Sequence, residues 1–137
     1  MPPKPSKTVL VVEDERALST AIAQKLEMHG CSAVTAVSIQ QALDYLNDIP
    51  GIGAIWLDHY LLGERDGISF IIQLKTHGSP WATIPVFVVS NTASDEKRSQ
   101  YLELGASRFF TKSEYRLEDI VVDLEAALTA HIKEQDV

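Results

Sequence analysis

Apolar residues are distributed along this chain in two alternating rhythms. Short unbroken apolar runs rich in β-branched residues mark strands covered on both faces. They occur at TVLVV (8–12), CSAVTAV (31–37), GAIWL (53–57), IPVFVV (84–89) and SRFFT (107–111). Between them, apolar positions recur every three or four residues, as one face of a helix requires. ERALSTAIAQKLEMHG (15–30) spaces Leu18, Ile22 and Leu26 by four and ends on Gly30, a helix-stop residue. SIQQALDYLNDI (38–49) opens on Ser38 as N-cap and stops before Pro50 and Gly51. DGISFIIQLKTHG (66–78) and the polar SDEKRSQYLELG (94–105), closed by Gly105, are two further helices. In the last, EYRLEDIVVDLEAALTAHI (114–132), Leu117, Ile120, Val121, Leu124 and Leu128 form one apolar stripe.

Five strands alternating with five helices predict an α/β fold, with a parallel sheet, helices on both faces and right-handed crossovers. The 137 residues suit one domain, expected over 7–131. A short, mobile, proline-rich tail is expected at 1–6 and a C-terminal tail at 132–137. GIG (51–53) is too short for a phosphate loop and precedes a strand, so it reads as a turn.

Composition removes several function classes. A formal net charge of −7 argues against nucleic acid and anionic membranes as direct partners, though not against a basic protein face. No apolar run approaches a membrane span of about 18 residues, and MPPKPSK has no apolar core of a signal peptide. The single cysteine, Cys31, rules out a disulfide within the chain and fits a reducing cytoplasm. With no local His or Asp beside it, Cys31 reads as a buried structural thiol.

In an open parallel sheet, ligands bind beyond the carboxyl ends of the strands. The residues following the apolar runs are Glu13 and Asp14, then Asp58, then Ser90 and Asn91, then Lys112. Each alone has an ordinary explanation, as a cap, a turn or a surface lysine. Together they bring a polar group from four of five strands to one edge, leaving the second strand as a sheet margin. Converging carboxylates raise one another's pKa unless a cation relieves them. An all-oxygen donor set suits Mg²⁺ or Mn²⁺ rather than zinc. His59, beside Asp58, is expected on the opposite strand face. Asp58, flanked by metal and lysine, is then placed as a nucleophile towards phosphorus, forming an acyl phosphate. Lys112 and Ser90 complete the charge neutralisation and hydrogen bonding of that group.

The motifs VVEDE, IWLDHYLLGERDG, VFVVSN and GASRFFTK, in this order and spacing, resemble those of response-regulator receiver domains of two-component signalling. The resemblance covers about residues 7 to 131. It implies the flavodoxin-like, doubly wound five-stranded parallel sheet, strand order 2-1-3-4-5, with five helices. It implies Asp58 as phosphoacceptor, and Asp14 and Asp58 as direct Mg²⁺ ligands. Glu13 would act through water and Tyr60 through its backbone carbonyl. Ser90 would be the switch hydroxyl, Lys112 the phosphoryl contact and Phe109 the switch aromatic.

The chain departs from the family pattern in several places. One extra residue separates Asp58 from the DG pair, and Leu62 replaces a proline. Asn91 replaces a small residue beside the switch hydroxyl, and Ser113 replaces the proline after Lys112. A cis peptide without proline costs about 3–4 kcal/mol, so Lys112–Ser113 is expected trans. Phe109 lacks the hydroxyl of the commoner tyrosine and has less reason to point outwards.

The implied function is a phosphorylation-activated cytoplasmic switch. It takes a phosphoryl group from a histidine kinase or phosphotransfer protein and relays the signal to a protein partner or a missing effector domain. It would catalyse only its own phosphorylation and dephosphorylation. Two alternatives remain: a degenerate receiver binding partners without phosphorylation, and an aspartyl-nucleophile phosphatase. The phosphatase reading lacks a second acid two residues after Asp58, where Tyr60 stands. The output surface is expected on the fourth helix, fifth strand and fifth helix, carrying Arg98, Tyr101 and Phe109. The competing reading is that Tyr101 and Phe109 pack into the core.

Overall fold

The structure is a computed structural model that describes residues 5–58, 64–91 and 94–135, with 64–66 as backbone only. Its elements are β1 (Thr8–Val12), α1 (Arg16–Met28), β2 (Ser32–Ala36), α2 (Ile39–Asp48), β3 (Ile52–Asp58) and α3 (Glu64–Lys75). β4 (Val86–Ser90), α4 (Asp95–Glu103), β5 (Arg108–Thr111) and α5 (Leu117–Gln135) follow. All strand pairs are parallel, in the order β2-β1-β3-β4-β5.

Side-chain alternation splits each strand between two cores. Leu10, Val12, Ile55, Leu57, Val86, Val88 and Phe109 face α2, α3 and α4, against Leu46, Phe70, Leu74 and Tyr101. Val9, Val11, Trp56, Phe87, Val89 and Phe110 face α1 and α5, against Ile22, Leu26, Ile120, Leu124 and Leu128. Because helices cover both faces, the central strands tolerate no polar alternation, which is why their runs are continuous. β2, at the margin, buries fully only Ala36.

The chain bounds depart from the expected ones at both ends. α5 continues to Gln135, so residues 132–135 are helix rather than tail. No Gly or Pro interrupts HIKEQ, and Ile132 still packs partly buried against the α1/α5 core. At the other end Ser6 is fastened: its N–H donates to Gly51 O at 2.8 Å, and its Oγ donates to the same oxygen at 2.8 Å. Of the GIG segment read as a turn, only Gly51, at φ 82°, belongs to one; Ile52 and Gly53 are already part of β3, and Gly53 occupies a break in the β1–β3 register between Thr8 and Val9. A Cβ on Gly53 would overlap Ser6 O and Leu128 Cδ1, so glycine permits this close approach.

Candidate functional site

Two strands end on the residues that matter: Asp58 closes β3 and Ser90 closes β4. β1 and β3 are neighbours, with Val12 opposite Leu57, so Glu13 and Asp58 come side by side one step further on. Ser38 and Ser94 cap α2 and α4 by accepting from Gln41 N–H and Lys97 N–H. The N-cap of α1 is Glu15, and Asp14 is therefore not consumed as a cap.

Carboxylate oxygens of Glu13, Asp14 and Asp58 all lie within 4.8 Å of one another. Glu13 and Asp58 are buried while Asp14 is exposed. The Lys112 ammonium stands 3.7 Å from Asp58 Oδ1 and 3.8 Å from Glu13 Oε1. These are charge contacts, too long for hydrogen bonds. The Lys112 N–H donates to Ser90 O at 2.7 Å, and the Asp14 N–H donates to Glu13 Oε2 at 3.1 Å. Burial, then the hydrogen bond and charge of Asp58, push the Glu13 carboxyl up to about 8 against the pull of Lys112. Among the described residues one ammonium faces three acids. The all-oxygen donor set and its spacing fit a hard divalent cation such as Mg²⁺.

Sequence reading and structure agree on how Glu13, Asp14, Asp58, Ser90 and Lys112 are gathered at one sheet edge. His59, Tyr60 and Leu62 lie outside the described residues. Asn91 is exposed, and among the described residues there is no cis peptide, so Lys112–Ser113 is trans as expected. Cys31 is buried, and burial raises its thiol pKa.

The expected output face needs correction. Tyr101 is 0% exposed and Phe109 4%, so neither contributes exposed surface. Their rings pack at a centroid distance of 5.8 Å. The Arg98 guanidinium lies 5.3 Å over the Phe109 ring and Nη1 donates to Phe109 O at 3.2 Å. A phenylalanine has no hydroxyl to carry to water, and burial of both rings is the favourable arrangement.

Sequence reading missed a second cluster, where α1 meets α5. His29 Nδ1 is 2.7 Å from Glu125 Oε2, and His29 Nε2 is 2.8 Å from Glu118 Oε1. Lys25 Nζ reaches Glu118 Oε2 at 3.0 Å. The available signal was the seven-residue spacing of Glu118 and Glu125, two helical turns on one face of α5.

Comparisons with known proteins identify the family and the fold. A family model described as the response regulator receiver domain matches residues 9–125. The transcriptional regulatory protein CpxR of Escherichia coli is 31% identical over 129 residues, covering 93% of this chain and 52% of the relative. The phosphate regulon transcriptional regulatory protein PhoB of Pseudomonas aeruginosa is 32% identical over 123 residues, covering 89% and 52%. The chain thus spans about half the length of these curated relatives. The crystal structure of the receiver domain of NtrX from Brucella abortus superposes with a TM-score of 0.76 at 27% identity, covering 88% of this chain and 98% of that one.

Proposed function

The chain belongs to the response regulator receiver domain family, and on that premise we propose that it is a phosphorylation switch with Asp58 as acceptor. The phosphoryl donor is a histidine kinase or a histidine phosphotransfer protein. An Asp58 oxygen attacks phosphorus, the P–N bond of the donor breaks, and the donor imidazole leaves with a proton. The attacking oxygen is that of an ionised carboxylate, and the Lys112 ammonium stands 3.7 Å from Asp58 Oδ1, placed to meet the incoming phosphoryl charge. Lys112 then holds one phosphoryl oxygen, and the Ser90 hydroxyl donates to another. A divalent cation, Mg²⁺ or Mn²⁺, held by Glu13, Asp14 and Asp58 with the Tyr60 carbonyl, would offset the carboxylate repulsion and the phosphoryl charge.

The observation that carries this reading is Lys112 lying within 3.8 Å of two of three clustered carboxylates at the end of β1 and β3. The protein turns over no substrate besides its own phosphoryl group. Its output passes to a protein partner, or to the remainder of a longer regulator, the chain spanning half of its curated relatives. Among the described residues no helix is long and apolar enough to cross a membrane, and we place the protein in the cytoplasm with its kinase's catalytic domain.

Intact mass before and after acetyl phosphate with Mg²⁺ tests the assignment. Wild type should gain one phosphoryl group and Asp58→Asn none. A persistent gain in Asp58→Asn that survives Ser90→Ala would reject Asp58 as the acceptor.

A further inference from the structure

Thr111 closes β5 immediately before Lys112 and is 1% exposed. Among the described residues, its Oγ1 is the buried side-chain polar atom that has no hydrogen-bond partner. A buried hydroxyl left unpaired costs free energy that a valine of nearly the same shape would not. The position therefore asks what the hydroxyl is for.

Register supplies the neighbour. Thr111 is the Cα partner of Ser90 across the β4–β5 pair. Parallel strands lie about 4.8 Å apart, and register partners project from the same face of the sheet. On that face the preceding neighbours are Val88 and Phe109, both apolar and both in the α2/α3/α4 core. Neither offers Thr111 a hydrogen bond. Ser90 is fully buried on the adjacent strand, so a χ1 change at either residue is the movement that could join the two hydroxyls.

We propose that Thr111 is a positioning residue for the Ser90 switch, its hydroxyl donating to Ser90 Oγ once Ser90 Oγ–H donates to a phosphoryl oxygen. This rests on the reading of Ser90 as the group that contacts the phosphoryl. A serine hydroxyl donates once and accepts through its lone pairs, so both bonds form together without competition. Each strengthens the other, because donating from one side of the oxygen polarises it as an acceptor on the other. The phosphorylated arrangement thereby gains a hydrogen bond that this arrangement lacks. An unpaired hydroxyl in the resting state tilts the equilibrium towards the active one, and its removal should tilt it back.

Beryllofluoride with Mg²⁺ serves as the phosphoryl mimic, titrated by amide NMR, alongside thermal unfolding without the mimic. Thr111→Val should bind beryllofluoride about three- to tenfold more weakly, the usual effect of one lost hydrogen bond, while its unfolding temperature stays at or above that of wild type. Thr111→Ser should restore the affinity. In a Ser90→Ala background, Thr111→Val should have no further effect, since the hydroxyl then has nothing to act through. Equal affinity of wild type and Thr111→Val, failure of Thr111→Ser to restore it, or an undiminished effect in Ser90→Ala would each overturn the proposal. Failure of wild type itself to bind beryllofluoride would instead bring down the underlying assignment of the phosphoryl site.

Discussion

Two groups of carboxylates are held on the α1/α5 side of this molecule, and they are neutralised in opposite ways. Where α1 meets α5, Glu118 and Glu125 meet Lys25 and His29 at 2.7 to 3.0 Å, two acids against two bases. Both imidazole nitrogens face carboxylate oxygens, so both carry hydrogens and the ring is a cation. At the sheet edge, three acids meet one ammonium at 3.7 and 3.8 Å. The first cluster is partly exposed and closes on itself; the second keeps two of its acids buried and, among the described residues, sets one ammonium against three acids. A staple between helices is complete when every charge has a partner. A site that takes a cation and a phosphoryl group must keep part of its demand open.

Replacing Lys112 should give the largest change, because it removes the ammonium that stands, among the described residues, against the open cluster. Lys112→Ala should still accept phosphate slowly from acetyl phosphate but no longer convert it into a conformational change. An amide spectrum of the phosphorylated mutant matching that of phosphorylated wild type would end this assignment.

Asp14→Asn should come next, weakening Mg²⁺ affinity by more than about tenfold, the cost of disturbing even an outer partner of a metal. Titration by calorimetry or by NMR is the measurement, and unaltered affinity would remove Asp14 from the ligand set. The same substitution should leave the α1–α5 staple intact, so the His29 resonances should not move.

The closed cluster should respond more gently. The hydrogen bonds that His29 donates to Glu118 and then to Glu125 hold its pKa above 6.5. Glu118→Gln should bring that pKa down towards the ordinary value, read by NMR titration of the ring. Since the folded pKa lies above the unfolded one, the staple contributes fully below about 6.5 and is lost as pH rises through the folded value. Unfolding stability of wild type should therefore decline slightly across that window, relative to His29→Gln. The pair is solvent-screened, so the difference is expected to be small. Identical pH profiles would show that the staple adds nothing to stability.

The reading of the chain succeeded where burial was uniform and failed where it was decided by a distant neighbour. The β1, β3 and β4 runs announce themselves because two layers of helix leave them no polar face. Glu13, Asp58, Ser90 and Lys112 stand out for the same reason, as polar residues that end apolar runs. Tyr101 misled because SDEKRSQYLELG is predominantly polar, yet Tyr101 is the buried residue of α4. Its burial is set by Phe109 on the following strand, not by any period within the helix. The His29 contacts join residues 89 and 96 positions apart, and no local pattern can report them. The end of α5 was missed because HIKEQ contains no stop residue from which to place it.

Arg98 has a second effect, on association rather than signalling. β5 is the outer strand of the sheet, and an outer strand offers its spare backbone groups to any other chain that can extend it. This strand is four residues long, and Arg98 occupies the Phe109 carbonyl with a guanidinium drawn from α4. Beside it Arg108, paired with Asp123 at 3.0 Å, adds an exposed charge to the same rim. A peptide or a second sheet approaching from that side would have to displace a bonded arginine to gain one backbone hydrogen bond. The rim is thus guarded against edge-to-edge polymerisation, and Arg98→Ala would leave the strand open to it.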